Sequence, residues 1–371
     1  MRTAASGGSV TNHQSPITNH YDVVIAGSSF AGLAVAQRLQ GRRVLLLDKD
    51  PLGAGQTSAC GAPVSIVRMM GAEDSVQQVH RELVIHTATH RVVWPLDEPF
   101  CTFDYRCFCE LAFARTGAEF WPAAVTGRDG VIVHTAHGDV KGQLLVDGTG
   151  WRAALVGGPC SSYINRRWMA FGIETELECE FEPELHFYFL PEVRDGYAWA
   201  FPSGEGVRFG VLSYLGRTKL LAALERFMAR FGLYPGEIHG GYLASGLRPP
   251  VVDGVFVAGD ASGHCLPLTG EGIRTAVLAG SVLGDALQGV LDGRLTLEAA
   301  TDTYREFVER FRRKYRVLSW GNLALLALPR PAIGHLAKRL AGPRTLQMFM
   351  RHYMGIFRPA PIPDLQPAPE A

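Results

Sequence analysis

The chain is short of charge and of sulfur. Only 19% of its 371 residues are Asp, Glu, Lys or Arg, and 36 basic residues balance 36 acidic ones. That balance excludes a uniformly basic nucleic-acid binder and an acidic, solvating chain. Seven cysteines, an odd number scattered over a long sequence, make no disulfide framework. Cys101, Cys107 and Cys109 lie close together without a C-x-x-C pair, so plain thiols and no metal are expected. Internal repeats, a nucleophile elbow and a kinase-like phosphate loop are also missing. The longest mostly apolar run, Val317 to Leu328, falls short of the ~20 residues that a membrane-spanning helix needs. Met1 to His20 is polar, without the apolar segment of a signal peptide. Residues 1–20 therefore read as a disordered extension, and the protein as cytoplasmic with reduced thiols. What is present is ample for a core: 47% apolar residues and 42 glycines, in a length that suits about two domains.

The neutral total conceals a gradient. From Arg305 to Arg351, eleven basic residues face two acidic ones, Glu306 and Glu309, so the body carries the compensating negative charge. Arg312-Arg-Lys-Tyr-Arg316 precedes the apolar run and Lys338-Arg339 follows it. A cationic rim around apolar helices suits peripheral contact with an anionic membrane; a helical cap with a solvated charged face would look the same.

Hydrophobic patterning sets in at Tyr21. Asp22–Ala26 and Arg43–Asp48 read as short buried strands, and Phe30–Gln40 between them has helical spacing, which makes a β-α-β unit with parallel strands. A helix is expected near Ser75–Arg91, which would set His86 and His90 one turn apart, and strands at Val131–His134 and Gln143–Val146. Trp168–Glu178, Leu185–Leu190, Tyr197–Phe201 and Val207–Tyr214 are strand-like and rich in aromatics, as in an antiparallel sheet. A helix over Arg217–Phe231 leads back to a core strand at Gly254–Ala258. Beyond Ile273 the pattern is helical, with breaks at Pro329, Pro331 and Pro343. The expected class is α/β: a Rossmann-type domain built from residues 21–165 and 241–295 and interrupted by a substrate-binding antiparallel sheet at 166–240. A helical region at 296–358 and a loose tail at 359–371 complete the chain.

The first strand-to-helix turn, Gly27-Ser28-Ser29-Phe30-Ala31-Gly32, follows G-x-G-x-x-G with Ser29 at the middle glycine. The outer glycines permit a tight turn and close helix packing, and the helix start offers amides to a pyrophosphate. Asp48 ends the second strand, where a carboxylate suits ribose hydroxyls. An ordinary glycine turn would need the glycines but not the acid. Strand, turn, helix and acid together point to a dinucleotide.

Further motifs carry a family resemblance. Leu144-Leu-Val-Asp-Gly-Thr-Gly150 and Gly254-Val-Phe-Val-Ala-Gly-Asp260 resemble elements of two-dinucleotide-domain flavoproteins, with Gly148 in place of an alanine. Asp48-Lys-Asp-Pro51 with Ser58-Ala-Cys60-Gly-Ala-Pro63, Tyr197-Ala-Trp199-Ala-Phe201-Pro202 with Gly210, and Pro267-Leu-Thr-Gly-Glu-Gly-Ile273 resemble, in order, the geranylgeranyl reductase family. The resemblance spans most of the chain from Tyr21 to Gly280. It implies a fold similar to the para-hydroxybenzoate hydroxylase class, with no separate nicotinamide domain. It also implies FAD held by Gly27, Ser28, Ser29, Ala31 and Gly32, by Asp48 and Lys49, by Gly259 and Asp260, and by the loop at Gly270, Gly272 and Ile273. Arg106 matches a flavin-contacting arginine more loosely.

Family members reduce isolated alkenes of polyprenyl chains, so the implied partners are a polyprenyl lipid and an electron donor, NAD(P)H or ferredoxin. Such an alkene has no conjugated carbonyl, and protonation is expected to run ahead of hydride addition from reduced flavin N5. Aromatic faces stabilise the cationic character by ~0.5–2 kcal/mol each. Tyr197, Trp199 and Phe201 share one strand face and, with Pro202, would line the substrate tunnel. Cys60 would be the proton donor or a flavin-proximal orienter; a small buried residue in a glycine turn is the plainer reading. A flavin monooxygenase or halogenase on the same fold is the enzymatic alternative, although halogenases carry W-x-W-x-I-P where this chain has Tyr197, Trp199 and Phe201. A non-catalytic flavin- or lipid-binding protein is the other.

Overall fold

A computed structural model describes residues 19–157, 162–165 and 169–358. The extension over 1–18, the tail over 359–371 and Trp168 lie outside the described residues. Strands β1 (His20–Ala26) and β2 (Val44–Asp48) are the two apolar runs, and Ile25 pairs with Leu46 in parallel register. Both are almost wholly buried, as strands covered on two faces must be. Helix α1 (Phe30–Ala36) joins them, and β3 (Gly61–Pro63) and α2 (Val64–Met69) follow.

The helix expected near Ser75–Arg91 does not exist. Its residues form β4 (Val76–His86), which is hairpinned to β5 (Arg91–Phe103). Register shifts between Val76 and Gln78 and between His80 and Glu82 break the alternation. At the first shift the extra residue lies in β4, which sets Val76 and Val79 three apart as in a helix; at the second the extra residues lie in β5. His86 and His90 are consequently not one helical turn apart. The His86 ring stacks 4.2 Å from Tyr188, and its Nε2 lies 2.9 Å from His186 Nδ1. His90 sits in the turn and meets His335 edge-on at 4.8 Å.

Helix α3 (Tyr105–Ala114) starts where Asp104 accepts the Cys107 amide at 2.6 Å. The chain continues through β6 (Glu119–Pro122), β7 (Val125–Asp129), β8 (Ile132–Thr135) and β9 (Gly138–Asp147). Next come β10 (Met169–Glu178), β11 (Leu185–Tyr188), β12 (Ala198–Ser203), β13 (Gly206–Ser213), α4 (Leu220–Ala229) and β14 (His239–Ala244). Short strands β15 (Val251–Val252) and β16 (Val255–Val257) precede helices α5 (Ile273–Leu291) and α6 (Leu297–Glu309). Helices α7 (Arg312–Ala327), α8 (Arg330–Leu340) and α9 (Pro343–Met354) complete the described chain.

Among the described residues the strands form two eight-stranded sheets. The first runs β15-β16-β9-β1-β2-β6, with the β7–β8 hairpin attached to β9. Its members from β16 to β6 are mutually parallel. The second runs β14-β10-β13-β12-β11-β4-β5-β3, so residues 61–103 join 169–244 in one sheet. Helix α4 covers one face of it, where Phe209 and Val211 pack on Leu224 and Phe227. Helices α8 and α9 lie near its far end, where Ile85, Val92 and Trp94 meet Ala337, Leu346 and Met350.

The tail is pinned by one buried cation. Arg274 makes a two-pronged contact with Glu271, at 2.7 and 2.9 Å, and donates to the Ile356 carbonyl at 2.6 Å. Both side chains are almost fully buried. Removing one partner of such a pair strands the other charge and costs about 3–5 kcal/mol. Arg274→Met is therefore expected to lower the urea unfolding free energy by that order, and adding Glu271→Gln to recover part of the loss.

Candidate active site

One cavity of about 1210 Å³ lies between the two sheets and reaches the C-terminal helices. Its polar end is built on backbone. Gly27 has φ +100°, and a Cβ there would stand 2.2 Å from the Gly148 carbonyl oxygen; a Cβ at Gly32 would stand 1.9 Å from the Gly27 oxygen. No side chain fits in either place, so the turn exposes bare amides at the start of α1. A methyl at Gly148 would stand 3.2 Å from the Ala26 oxygen, a tight approach. Ser29, in place of a middle glycine, lines the cavity and accepts a hydrogen bond from the Tyr105 hydroxyl at 3.0 Å.

Asp48 also lines this end. Its Oδ2 accepts the Ser28 amide and hydroxyl at 2.8 and 2.9 Å, while Oδ1 has only a long contact, 3.4 Å, from the Asp50 amide. One carboxylate oxygen is thus oriented and the other is open to an incoming hydroxyl. Lys49 stands beside it and pairs with Asp50 at 2.7 Å. Ser28 itself is buried with its donors on Asp48 and does not line the cavity, and Arg106 is exposed outside it. The physical reason in the second case is packing: the Arg106 backbone lies beneath Gly53, 2.8 Å from where a Cβ would stand.

The opposite wall is the loop before α5. Asp260 is half-buried and accepts the Ala244 amide at 3.2 Å. Burial pushes its carboxyl up to about 6, against the opposing pull of the Ala244 amide and Arg248. Gly270, at φ +70°, has the Tyr197 hydroxyl 3.1 Å from its missing Cβ, and at Gly272 the Asp260 carboxylate lies at 3.4 Å. Gly259, Ala31 and Ile273 line the same wall. Two glycine cradles and two carboxylates facing one continuous space fit an extended dinucleotide.

Beyond the loop the lining becomes aromatic and aliphatic: Phe100, Phe187, Phe189, Leu325 and Met350. Tyr197, Trp199 and Phe201 all face this space. The Tyr197 hydroxyl donates to the Thr269 carbonyl at 2.5 Å, and Phe201 meets Phe187 edge-on at 5.1 Å. Trp199 lies flat across Gly210, where a Cβ would be 2.0 Å from the indole. This contact explains why the aromatic motif is followed by a glycine. Pro202 turns away from the cavity and uses its carbonyl to accept from Thr102 at 2.7 Å.

Cys60 is the chief correction to the expected site. Its side chain is fully buried in the core and does not line the cavity, although Ala59 and Gly61 do. The left-handed backbone at φ +50° and the Phe103 amide on its carbonyl at 3.2 Å fix this orientation. Burial pushes the thiol up, and its sulfur donates to the Ser58 carbonyl at 3.3 Å. Sequence reasoning missed Glu174. It lines the cavity and accepts from Trp199 Nε1 at 2.7 Å. The signal was available in the alternation of β10, where Ala170, Gly172 and Glu174 share a face. The closure of the apolar end by α7 to α9 had no local signal.

No protein-family model matches the chain. It is 30% identical over 152 residues to a digeranylgeranylglycerophospholipid reductase of Methanocaldococcus jannaschii; this match spans 38% of the chain and 38% of that relative. Digeranylgeranylglycerophospholipid reductase 2 of Methanosphaera stadtmanae is 24% identical over 376 residues, covering 88% of this chain and 94% of that one. Among solved structures, a geranylgeranyl bacteriochlorophyll reductase-like protein of Thermoplasma acidophilum superposes with a TM-score of 0.78 at 18% identity, over 91% of this chain and 98% of that chain. A flavin-dependent brominase gives 0.70 at 18% identity, over 90% and 93%. The fold is that of these flavoenzymes.

Asp260 ties the site to stability. A carboxyl raised from the usual ~3.9 to about 6 keeps its proton in the folded state through a window where the unfolded chain has lost it. Stability of the ligand-free protein should therefore fall as pH rises from about 4 to 6. Asp260→Asn is expected to flatten that slope and to raise the Tm at pH 7.5, as measured by a pH series of thermal melts.

Proposed function

We propose that this protein is an FAD-dependent reductase that saturates isolated C=C bonds of a polyprenyl, geranylgeranyl-type lipid. The observation that carries the reading is the continuity of one cavity from a glycine-built dinucleotide cradle to an aromatic and aliphatic end. Gly27, Ser29 and Ala31 would receive the pyrophosphate, Asp48 and Lys49 the ribose side, and Asp260 a ribityl hydroxyl; Gly32 is packed on the Gly27 carbonyl away from the cavity. The backbone from Gly270 to Ile273 would face the flavin edge. Reduced FAD, when bound, supplies a hydride at N5.

The remaining chemistry falls to the chain. Tyr197, Trp199 and Phe201 hold an apolar chain against their faces and exclude water from an alkene that acquires cationic character. Tyr197 keeps its proton at any working pH because burial raises its hydroxyl far above the ordinary value. Cys60, sealed in the core, has a packing role in this reading.

A lipid substrate must leave a bilayer, and α7 offers a docking face. Tyr315, Ser319 and Asn322 point inward, whereas Val317 and Trp320 are 63% and 74% exposed beside Arg313 and Arg316. Leu325 and Leu328, at the end of the same helix, line the cavity. Among the described residues no helix is long and apolar enough to cross a membrane, so the contact would be peripheral.

Anaerobic incubation of dithionite-reduced holoprotein with geranylgeranyl lipids should yield products heavier by two hydrogens per saturated bond in mass spectrometry. Oxygen-dependent gain of one oxygen atom would instead establish the hydroxylase alternative, and NAD(P)H or ferredoxin in place of dithionite would identify the donor. Val317→Glu with Trp320→Glu removes two apolar anchors worth ~1.5–3 kcal/mol each when buried. Co-sedimentation with anionic vesicles at low salt should drop at least about tenfold, with turnover of a detergent-dispersed substrate preserved.

A further inference from the structure

The proposed reduction needs a proton source at the cavity, and Cys60 is not there. Another group is. His239 on β14, Glu174 on β10, Gly210 on β13 and Trp199 on β12 are directly paired across four adjacent strands. Directly opposed residues share a sheet face. The row therefore runs from the edge strand inward to the aromatic wall. Gly210 has no side chain, and Trp199 uses that space to lie across it and donate Nε1–H to Glu174 Oε2 at 2.7 Å. On the outer side His239 Nε2 reaches Glu174 Oε1 at 3.2 Å. The Glu174 side chain is 4% exposed and that of His239 31%, so one end of the pair meets solvent and the other lines the cavity.

We infer that Glu174 is the proton donor to the alkene, resupplied from solvent through His239 and oriented by Trp199. This rests on the reductase reading above. In the balanced step, the alkene π pair takes the proton from the Glu174 carboxyl and the resulting cationic carbon takes a hydride from the dihydroflavin reductant. The lipid gains two hydrogens and the reductant loses two electrons. The Glu174 carboxylate then recovers a proton from the His239 imidazolium, which is recharged by water.

The surroundings suit a stored proton. The Glu174 hydrogen bond raises the His239 ring above its usual range against desolvation; Glu176 adds to the rise and Arg208 opposes it. Arg208 and Glu176 occupy the neighbouring pair of the same two strands and bond to each other at 3.2 Å, leaving Glu174 to His239 and Trp199. A carboxylate held only by Trp199 would have no route to solvent, and a surface histidine alone would have none to the substrate.

The test compares wild type with Glu174→Gln, His239→Gln and Trp199→Phe. In Glu174→Gln, FAD binding and dithionite reduction should match wild type while alkene saturation falls by about 10²–10⁴-fold, the usual span for general acid catalysis. Wild-type turnover should decline as pH rises through the His239 titration, and His239→Gln should lose that limb. Trp199→Phe, which keeps a ring but removes the donor, should lower kcat more than it changes KM. Independently of turnover, NMR titration of His239 should show its pKa falling in Glu174→Gln. Saturation by Glu174→Gln at the wild-type rate, or a His239 titration indifferent to that change, overturns the relay alone. A wild type that saturates no prenyl lipid overturns the reductase reading and the relay with it.

Discussion

The Arg274 guanidinium holds the site and the tail to each other. Its fork fixes Glu271 in the loop that forms one wall of the cavity, and the same group collects the carbonyls of Met354 and Ile356 from the end of the chain. A buried cation is tolerable only when its donors are satisfied in this way. Because the partners come from the loop before α5 and from the stretch after α9, neither can settle without the other. Thr269, in the same loop, reinforces the link through the Tyr353 hydroxyl at 2.6 Å. The apolar end of the cavity owes its enclosure to this arrangement.

Within that enclosure, polarity is sharply divided. Carboxylates stand at the cradle and at the sheet edge, and the stretch between the aromatic faces and α7 to α9 is hydrocarbon. Asp260 shows what the environment does to a charge: burial outweighs a hydrogen bond and a nearby guanidinium, and the carboxyl is raised to about 6. A cationic species placed in such a space would be met by the ring faces of Tyr197, Trp199 and Phe201 and by the Glu174 side chain.

Much of this was legible from residue order. The glycine turn was legible because backbone approach admits no substitute at Gly27 and Gly32, and Asp48 at the end of β2 lines the same cavity as Gly27. The aromatic motif was readable as one face by its period of two, and the cavity lining includes all three rings. The bulged β4 was not legible, since one extra residue between Val76 and Gln78 put Val76 and Val79 at a helical spacing. Cys60 looked exposed to chemistry because sequence shows its neighbours but not the direction set by a left-handed backbone. Glu174 was overlooked because its partners, His239 and Trp199, are far away in sequence and adjacent only across strands. Helices α7 to α9 were expected, but their place over the apolar end depends on the Arg274 contacts.

The second sheet is joined at one parallel seam, where β11 meets β4 with Leu185 beside Leu83 and His86 bonded to His186, 100 residues away in sequence. Pairings of such long sequence separation form late, because loop closure must precede any gain from contact. During synthesis the β4–β5 hairpin therefore emerges well before the strand that completes it, with an unpaired edge. The bulge that obscured β4 in the sequence also twists that edge, a recognised deterrent to pairing with another chain. A feature that misleads pattern reading thus also bends the strand whose edge stays unpaired until β11 arrives.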